Sequence, residues 1–596
     1  MLEPIIIKDP KQKLSHVLPE IPTNVNLAKK LPGIGATHME IHNKSRNSII
    51  IEPNVPVIQG KCRKHNEHEY ILCGVYEGKR TEDVVEYLSE ERKYYKIMTT
   101  PESLPKVFSA AKKLNIDLFE DWFCLMDESH LLVKDVDYRE DIVLPMSSFF
   151  QFRNKTLVSA TPIELSDPRF KEQGFELLEV VANYEYRYPI TVMHTNNPFI
   201  HIREIIKEAN RPICFFINLV DYCYSVIKEL GIENESSIFC APKSQMKIKH
   251  DMTLGEDNGV NVYDEWREDR MNKYNFFSAR FFSAFDMDLE YKPDVVMVTD
   301  VKKSVYTILD INTDCVQIAG RLRGGFNSLT HILTTDDAIA SPKQSELEET
   351  IKLQENAYNY IRNLYDNAPS EIAKKILGET MRSNPFNNLI YPSGAKNYFA
   401  IDNYINEYLV KGLYQDFELI REAYMNSDMF IPKFKEHIHP YTEEDRLIVK
   451  RANYSVKQKR MKIVEILSKF ELPYNQNDMA FIDEIRHIDP LIVEAFELLG
   501  KEAIEEMQFS SHAVQEAVIL AKQSSDATLQ LIRNSFRCGQ KYKNTEIIKE
   551  LTRIYELLKI YPTKTVRGET ILQYFHARPC QIGKKRNRGY YLSNER

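Results

Sequence analysis

The chain has 596 residues with a net charge of −8, is 43% hydrophobic and 28% charged, and carries nine scattered cysteines. That length is more than one core can use, so about two to four domains are expected. The composition excludes a disulfide-framework protein, and no apolar run is long enough to predict a membrane span. Met1-Leu2-Glu3-Pro4 shows no basic region followed by an apolar core, so a cytoplasmic protein with free thiols is expected. An acidic total also means that any nucleic-acid groove must gather its positive charge locally.

From about residue 20 to 185, short apolar runs alternate with helical patterns: Asn26-Leu27-Ala28, Ser48 to Ile51, Tyr95 to Met98, Trp122 to Met126 and Thr156 to Val158. Such alternation predicts a parallel sheet with crossover helices. Tyr184 to Phe199, with Pro189 and the Asn-Asn-Pro of 196–198, reads as a passage between domains. A second alternating block follows to about 345, with strands at Pro212 to Phe216, Ser237 to Cys240 and Pro293 to Val298. Beyond 345 the spacing becomes helical, in Ile351 to Tyr365, Asp402 to Met425, Val456 to Phe470 and Ala513 to Ala521. The last residues read as a helix (Asn544 to Ile560), a short helix (Gly568 to Phe575) and a hairpin whose turn carries Lys584, Lys585, Arg586 and Arg588. The expected architecture is therefore α/β: two parallel-sheet lobes at 1–190 and 191–345, a helical accessory region at 346–533, and a small winged-helix-like basic domain at 534–596.

Several short motifs punctuate these elements. Leu31 to Thr37 is a glycine loop between a strand and a helix, where backbone amides can approach phosphate; an ordinary glycine turn has the same form. Asp127-Glu128-Ser129-His130 closes the apolar run Trp122 to Met126. An acidic pair at the end of a buried strand suits Mg²⁺ and a water aimed at a γ-phosphate. Ser159-Ala160-Thr161 follows the next strand, and Gln317-Ile318-Ala319-Gly320-Arg321-Leu322-Arg323 comes much later. Cys62, His65, His68 and Cys73 have no spacing that matches a zinc module, and incidental loop residues are the expectation.

The order of these motifs resembles the motor core of superfamily 2 helicases, the DExH/DEAD-like branch, over roughly residues 20–345. The resemblance implies two RecA-like lobes with ATP and Mg²⁺ between them and nucleic acid, DNA or RNA, lying across both. It assigns Asp127 and Thr37 to Mg²⁺, Glu128 to the attacking water, and His130 to coupling with neighbouring motifs. Gln317 would open the catalytic motif from which Arg321 and Arg323 bring guanidinium charge to the phosphates. Thr100, Ser159 and Thr161 would couple nucleotide state to nucleic acid, together with the basic hairpin, and Asp286 would complete the nucleotide site. Gly33, Gly35 and Thr37 match the family's phosphate loop, but Ala36 stands where its lysine belongs. Lys29 or Lys30, at the entrance of the loop, would supply that missing charge.

The leading expectation is an ATP-dependent helicase or translocase acting on DNA in replication or recombination, working with replication proteins and no membrane. The alternatives are a hydrolysis-deficient helicase-like binding protein, to which Ala36 points, and an origin-binding initiator. Abundant tyrosine beside Lys, Ile and Asn suggests an AT-rich genome such as that of a bacteriophage or mobile element.

Overall fold

Runs rich in β-branched and aromatic residues make the strands, and their alternation decides which core each side chain enters. Ile49, Ile51, Cys124 and Met126 pack on one face of the first sheet, and Ile50, Phe123 and Leu125 on the other. Both faces are covered, as parallel sheets require. The computed structural model describes residues 2–31, 33–67, 69–253, 259–282, 287–443, 445–446, 454–470, 474 and 476–596. These fall into two compact units, residues 1–437 and 438–596.

The first unit holds two eight-stranded sheets, parallel throughout. In the first lobe are β1 (Ile5–Ile7), β2 (Val25–Ala28), β3 (Asn47–Ile51), β4 (Leu72–Val75), β5 (Lys96–Thr99), β6 (Trp122–Met126), β7 (Asn154–Ser159) and β8 (Glu176–Ala182), in the order β1-β8-β2-β7-β6-β3-β5-β4. The second lobe has β9 (Tyr188–Thr195), β10 (Ile213–Phe216), β11 (Ser236–Phe239), β12 (Asn261–Tyr263), β13 (Tyr274–Phe277), β14 (Asp294–Thr299), β15 (Ser328–Leu333) and β16 (Phe430–His437). Their order is β12-β11-β13-β10-β14-β15-β9-β16. The two parallel-sheet lobes expected from the sequence are thus present.

Two features differ from the sequence reading. Tyr184 to Phe199 carries the chain from β8 to β9, but half of it is itself strand: β9 pairs along its length with β16 and over Thr191 to His194 with β15. The second sheet also takes β16 from far beyond residue 345. Its alternation is weak, with outward Lys433, Lys435 and Glu436, which suits an edge strand and hid it among helical neighbours. The long pattern at Asp402 to Met425 divides into helices Tyr398–Leu413 and Phe417–Met425, the second capped by the Asp416 side chain on the Glu418 N–H.

The second unit contains helices Val456–Leu467, Pro490–Glu506, Ser511–Gln523 and Asp526–Ser535, then a three-stranded antiparallel sheet. In that sheet β17 (Lys541–Lys543) and β18 (Phe575–Ile582) flank β19 (Asn587–Glu595). Helix Asn544–Leu557 packs on it through Ile547, Leu551 and Ile554, with Phe575 and Leu592 closing the core. The expected second short helix is a 3₁₀ segment, Gly568–Gln573. Lys584, Lys585, Arg586 and Arg588 stand exposed at the β18–β19 turn.

No helix among the described residues is long and apolar enough to cross a membrane. All nine cysteines are free thiols.

Candidate active site

In a parallel α/β sheet the carboxyl ends of the strands open onto the ligand crevice. Here β2, β7, β6 and β3 lie side by side and end at Lys29, Ala160, Asp127 and Glu52. The register makes this clustering unavoidable: Ile51 of β3 pairs with Met126 of β6, and the Asp127 N–H donates to the Ile51 carbonyl at 2.9 Å. These ends line a cleft of about 950 Å³ whose other wall carries Arg321 and Arg323 of the second lobe.

The glycine loop forms the near rim. Gly33 and Gly35 take φ of +78° and +90°, backbone that side-chain-bearing residues rarely adopt. Helix α1 (Ala36–Ile41) follows, with Ala36 buried and Thr37 turned to the cleft. The Thr37 hydroxyl donates to Asp127 Oδ2. Position 36 therefore brings no charge to the loop.

Lys29 does. Its side chain is buried, and its Nζ lies 3.3 Å from Asp127 Oδ1 and 3.4 Å from Glu128 Oε1. Burial works against the ammonium, but the Asp127 and Glu128 carboxylates outweigh it and hold Lys29 above its ordinary value. Burial likewise opposes charge on Asp127, while Lys29, the Thr37 hydroxyl and the Glu128 N–H hold its carboxyl below the usual range. Lys30 takes another direction: at φ +40° its ammonium pairs with Glu179 and Asp428, each at 3.0 Å, and it does not line the cleft.

Glu128 sits in a left-handed conformation, φ +46°. Such backbone strain in a non-glycine residue persists where packing over-determines it, commonly at reactive sites. Its Oε2 is buried and has no hydrogen-bond partner among the described residues, so one carboxylate oxygen stays ready to accept a proton or orient water. His130 Nδ1 lies 3.5 Å from that oxygen and 3.0 Å from Ser159 Oγ. Burial, then the cations Lys134, Lys29 and Arg321, push His130 down to about 3, so it is a neutral imidazole.

A chain of hydrogen bonds continues from there across the lobes. Ser159 Oγ accepts the Thr161 N–H at 3.0 Å, and Gln317 Nε2 donates to Thr161 Oγ1 at 3.2 Å. Arg321 in turn donates to the Gln317 side-chain oxygen through Nη2 and to its carbonyl through Nε, the latter at 3.1 Å. Helix Asp314–Arg321 thereby fixes both Gln317 and Arg321 against the first lobe. Arg323 reaches further: a Cβ placed on Gly33 would lie 2.5 Å from its Nη1, so its guanidinium rests on the glycine loop itself.

Of the other residues singled out from sequence, Thr100 is buried at the end of β5, capping the short turn Pro101–Ser103 outside the cleft lining. Asp286 lies outside the described residues.

The structure adds two features to the site. Glu52 is buried in the cleft wall, and burial, then the Asp127 and Glu128 carboxylates, push it up to about 8. Lys134 Nζ binds Thr313 Oγ1 and Asp314 Oδ1, each at 2.6 Å, making a second clasp between the lobes. In the sequence Glu52-Pro53 resembles a segment that contacts nucleic-acid backbone, or an ordinary strand-ending turn, and not a part of the cleft; Lys134 carried no signal.

No protein-family model matches the chain. No curated protein matches it either. Among solved structures, it is similar to Saccharomyces cerevisiae Dbp5 bound to RNA and ADP BeF3, at 12% identity and a TM-score of 0.34, covering 53% of this chain and 79% of that one. It is similar to the Mycobacterium smegmatis helicase Lhr bound to ssDNA and AMP-PNP, at 10% identity and a TM-score of 0.31, covering 90% and 70%. For the Pyrococcus furiosus Hef helicase domain the values are 11% and 0.32, covering 52% and 92%. At such identities and scores, what the chain does has to follow from its own residues.

Proposed function

We propose that the cleft binds ATP with Mg²⁺ and hydrolyses it, and that the two lobes convert turnover into movement on nucleic acid. The observation that carries this reading is the buried ammonium of Lys29 beside Asp127 and Glu128, facing Arg321 and Arg323 across one cleft. Phosphoryl transfer needs little covalent help; it needs positive charge around the phosphates and a placed water. Lys29 enters from the end of β2 and supplies the charge that Ala36 cannot. Thr37 and Asp127 present converging oxygens that fit a hard divalent cation, which when bound would neutralise phosphate charge. Glu128 orients the water and receives its proton through the oxygen that has no hydrogen bond among the described residues. Arg321 and Arg323 stabilise charge on the transferring group, and both report to the first lobe, through Thr161 and Gly33 respectively.

The Thr161–Gln317 bond is the route by which nucleotide state would alter lobe closure. Nucleic acid is the substrate class this reading favours, with DNA the first choice, and the basic β18–β19 turn offers the C-terminal unit a phosphate contact. The test is ATP hydrolysis by the full chain with and without single-stranded DNA or RNA. Turnover that rises with nucleic acid and vanishes in Glu128→Gln supports the reading; no turnover under any condition removes it.

One observation favours a second reading. Lys29 neutralises the carboxylates that should hold Mg²⁺. If it stays there with nucleotide present, the cleft binds ATP without cleaving it and the chain is a nucleotide-gated nucleic-acid-binding protein. Binding of ATP without turnover, in wild type and Glu128→Gln alike, identifies that case.

A further inference from the structure

Three histidines stand together just beyond the glycine loop. His38 and His42 are one helical turn apart at the end of α1, so their rings share a face, with centroids 4.5 Å apart. His65 is the last residue of helix α2 (Val55–His65) and brings its ring to within 5.2 Å of His38 and 4.8 Å of His42. His42 Nε2 and His65 Nδ1 are 2.9 Å apart. One ring nitrogen from each residue falls within 4.8 Å of the other two.

We propose that His38, His42 and His65 bind one transition-metal ion of the Zn²⁺ class, at a site separate from the Thr37–Asp127 oxygens. Nitrogen ligands about 2.0–2.1 Å from a tetrahedral ion lie about 3.4 Å from each other. The observed spread brackets that value, so small ring rotations suffice. Three imidazoles with a fourth position left for water or a phosphate oxygen is an open coordination set.

The surroundings select the metal. Lys13, Lys61 and Lys64 act on His38, Lys61 and Lys64 on His65, and Lys44 and Lys96 on His42. These cations oppose an ion held by charge alone, which disfavours Mg²⁺ and Ca²⁺. An ion that forms strong bonds to nitrogen tolerates them.

The placement gives the site a consequence. His38 follows Thr37 directly and lines the cleft, whereas His65 belongs to a different helix. A metal joining them pins the helix of the glycine loop to α2. The sequence cluster of Cys62, His65, His68 and Cys73 is thus divided: His65 joins a set built from another helix, Cys73 is buried on β4, and His68 lies outside the described residues. This site does not depend on ATP being hydrolysed.

The experiment is titration of the metal-stripped full chain with Co²⁺, without nucleotide, followed by visible absorption. Wild type is expected to take up one equivalent into a complex with tetrahedral bands, bleached by Zn²⁺. His42→Ala should lose that equivalent, and His38→Ala should bind at least tenfold more weakly. Asp127→Asn, which damages the other cation site, should titrate like wild type. Circular dichroism of the stripped variants checks folding, and exposed His38 gives a second variant should His42→Ala unfold. Absence of tetrahedral bands in wild type, or unchanged titration in both histidine variants, overturns the proposal.

Discussion

Lys29 and Asp127 face each other at 3.3 Å across the ends of β2 and β6, two strands separated in the sheet by β7. The pair joins the base of the glycine loop to the acidic motif before any ligand arrives. It also changes what Ala36 means. A phosphate loop without its lysine looks disabled when read along the chain, yet the charge reappears seven residues earlier, at the end of the strand that feeds the loop. An ammonium at that point can exchange carboxylate partners for phosphate oxygens with only a change of side-chain torsion.

Glu128→Gln keeps the side-chain shape but removes the basic carboxylate, one oxygen of which has no hydrogen-bond partner among the described residues. Hydrolysis should fall by about 10²–10⁴-fold, the range for loss of a general base. Nucleotide binding, followed by fluorescence of a labelled ATP analogue, should stay within a few-fold of wild type. Equal loss of binding and turnover would instead mean that Glu128 serves to hold the nucleotide.

Gly33→Ala should cost stability and activity together. The residue holds φ +78°, and a left-handed conformation costs a side-chain-bearing residue roughly 1–2 kcal/mol. The added methyl also meets Arg323 Nη1 at 2.5 Å, so the guanidinium must leave the loop. Thermal melting reads the first effect, and the maximal hydrolysis rate reads the second. A variant with a lower Tm and full turnover would show that Arg323 acts elsewhere.

Thr161 and Gln317 form the bond that carries the hydrogen-bonded chain from one lobe to the other. Thr161→Ala and Gln317→Ala should each weaken stimulation of hydrolysis by nucleic acid. The double variant should be no worse than either alone, with a coupling of about 0.5–3 kcal/mol expected for residues in direct contact. Fully additive losses would place the two residues on separate routes.

Glu52 predicts a pH signature. Its pKa rises on folding from 4.5 to about 8. The folded state therefore binds this proton more tightly than the unfolded state does. The stability this gives is fully present below about pH 4.5 and is lost as pH rises toward and through 8. His130 acts in the opposite sense at lower pH: depressed to about 3, it loses stability as pH falls below its ordinary 6.5. Chemical denaturation of wild type and Glu52→Gln across pH 5 to 9 isolates the first effect. The stability difference should grow with pH in favour of the glutamine variant; a constant difference would contradict the assignment.

Much of the first unit was legible in the sequence because buried parallel strands are short, apolar and bounded. Trp122 to Met126 could be read directly, and Thr156 to Val158 as the centre of the strand Asn154–Ser159, and so could the motifs that follow them. What could not be read was set by lateral order. Glu52 belongs in the cleft only because β3 pairs with β6, and strand order is not written in any local pattern. The edge strand β16 was hidden because a half-exposed strand with lysines on its outer face has too little apolar signal. The choice between Lys29 and Lys30 depended on the turn between them, where the positive φ of Lys30 sends adjacent side chains to different partners. The clustering of His38, His42 and His65 needed two helices to be brought together, and spacing within either one reveals only part of it.

The most direct test of the account is steady-state ATP hydrolysis, in saturating single-stranded nucleic acid, by wild type, Lys29→Ala and Lys30→Ala. Loss of a donor aimed at transition-state charge costs about 10²–10³-fold, and that is the fall expected for Lys29→Ala. Lys30→Ala, whose ammonium is committed to Glu179 and Asp428, should stay within about twofold of wild type, as surface ion pairs carry little. Undiminished turnover in Lys29→Ala would contradict the claim that this lysine replaces the one the glycine loop lacks.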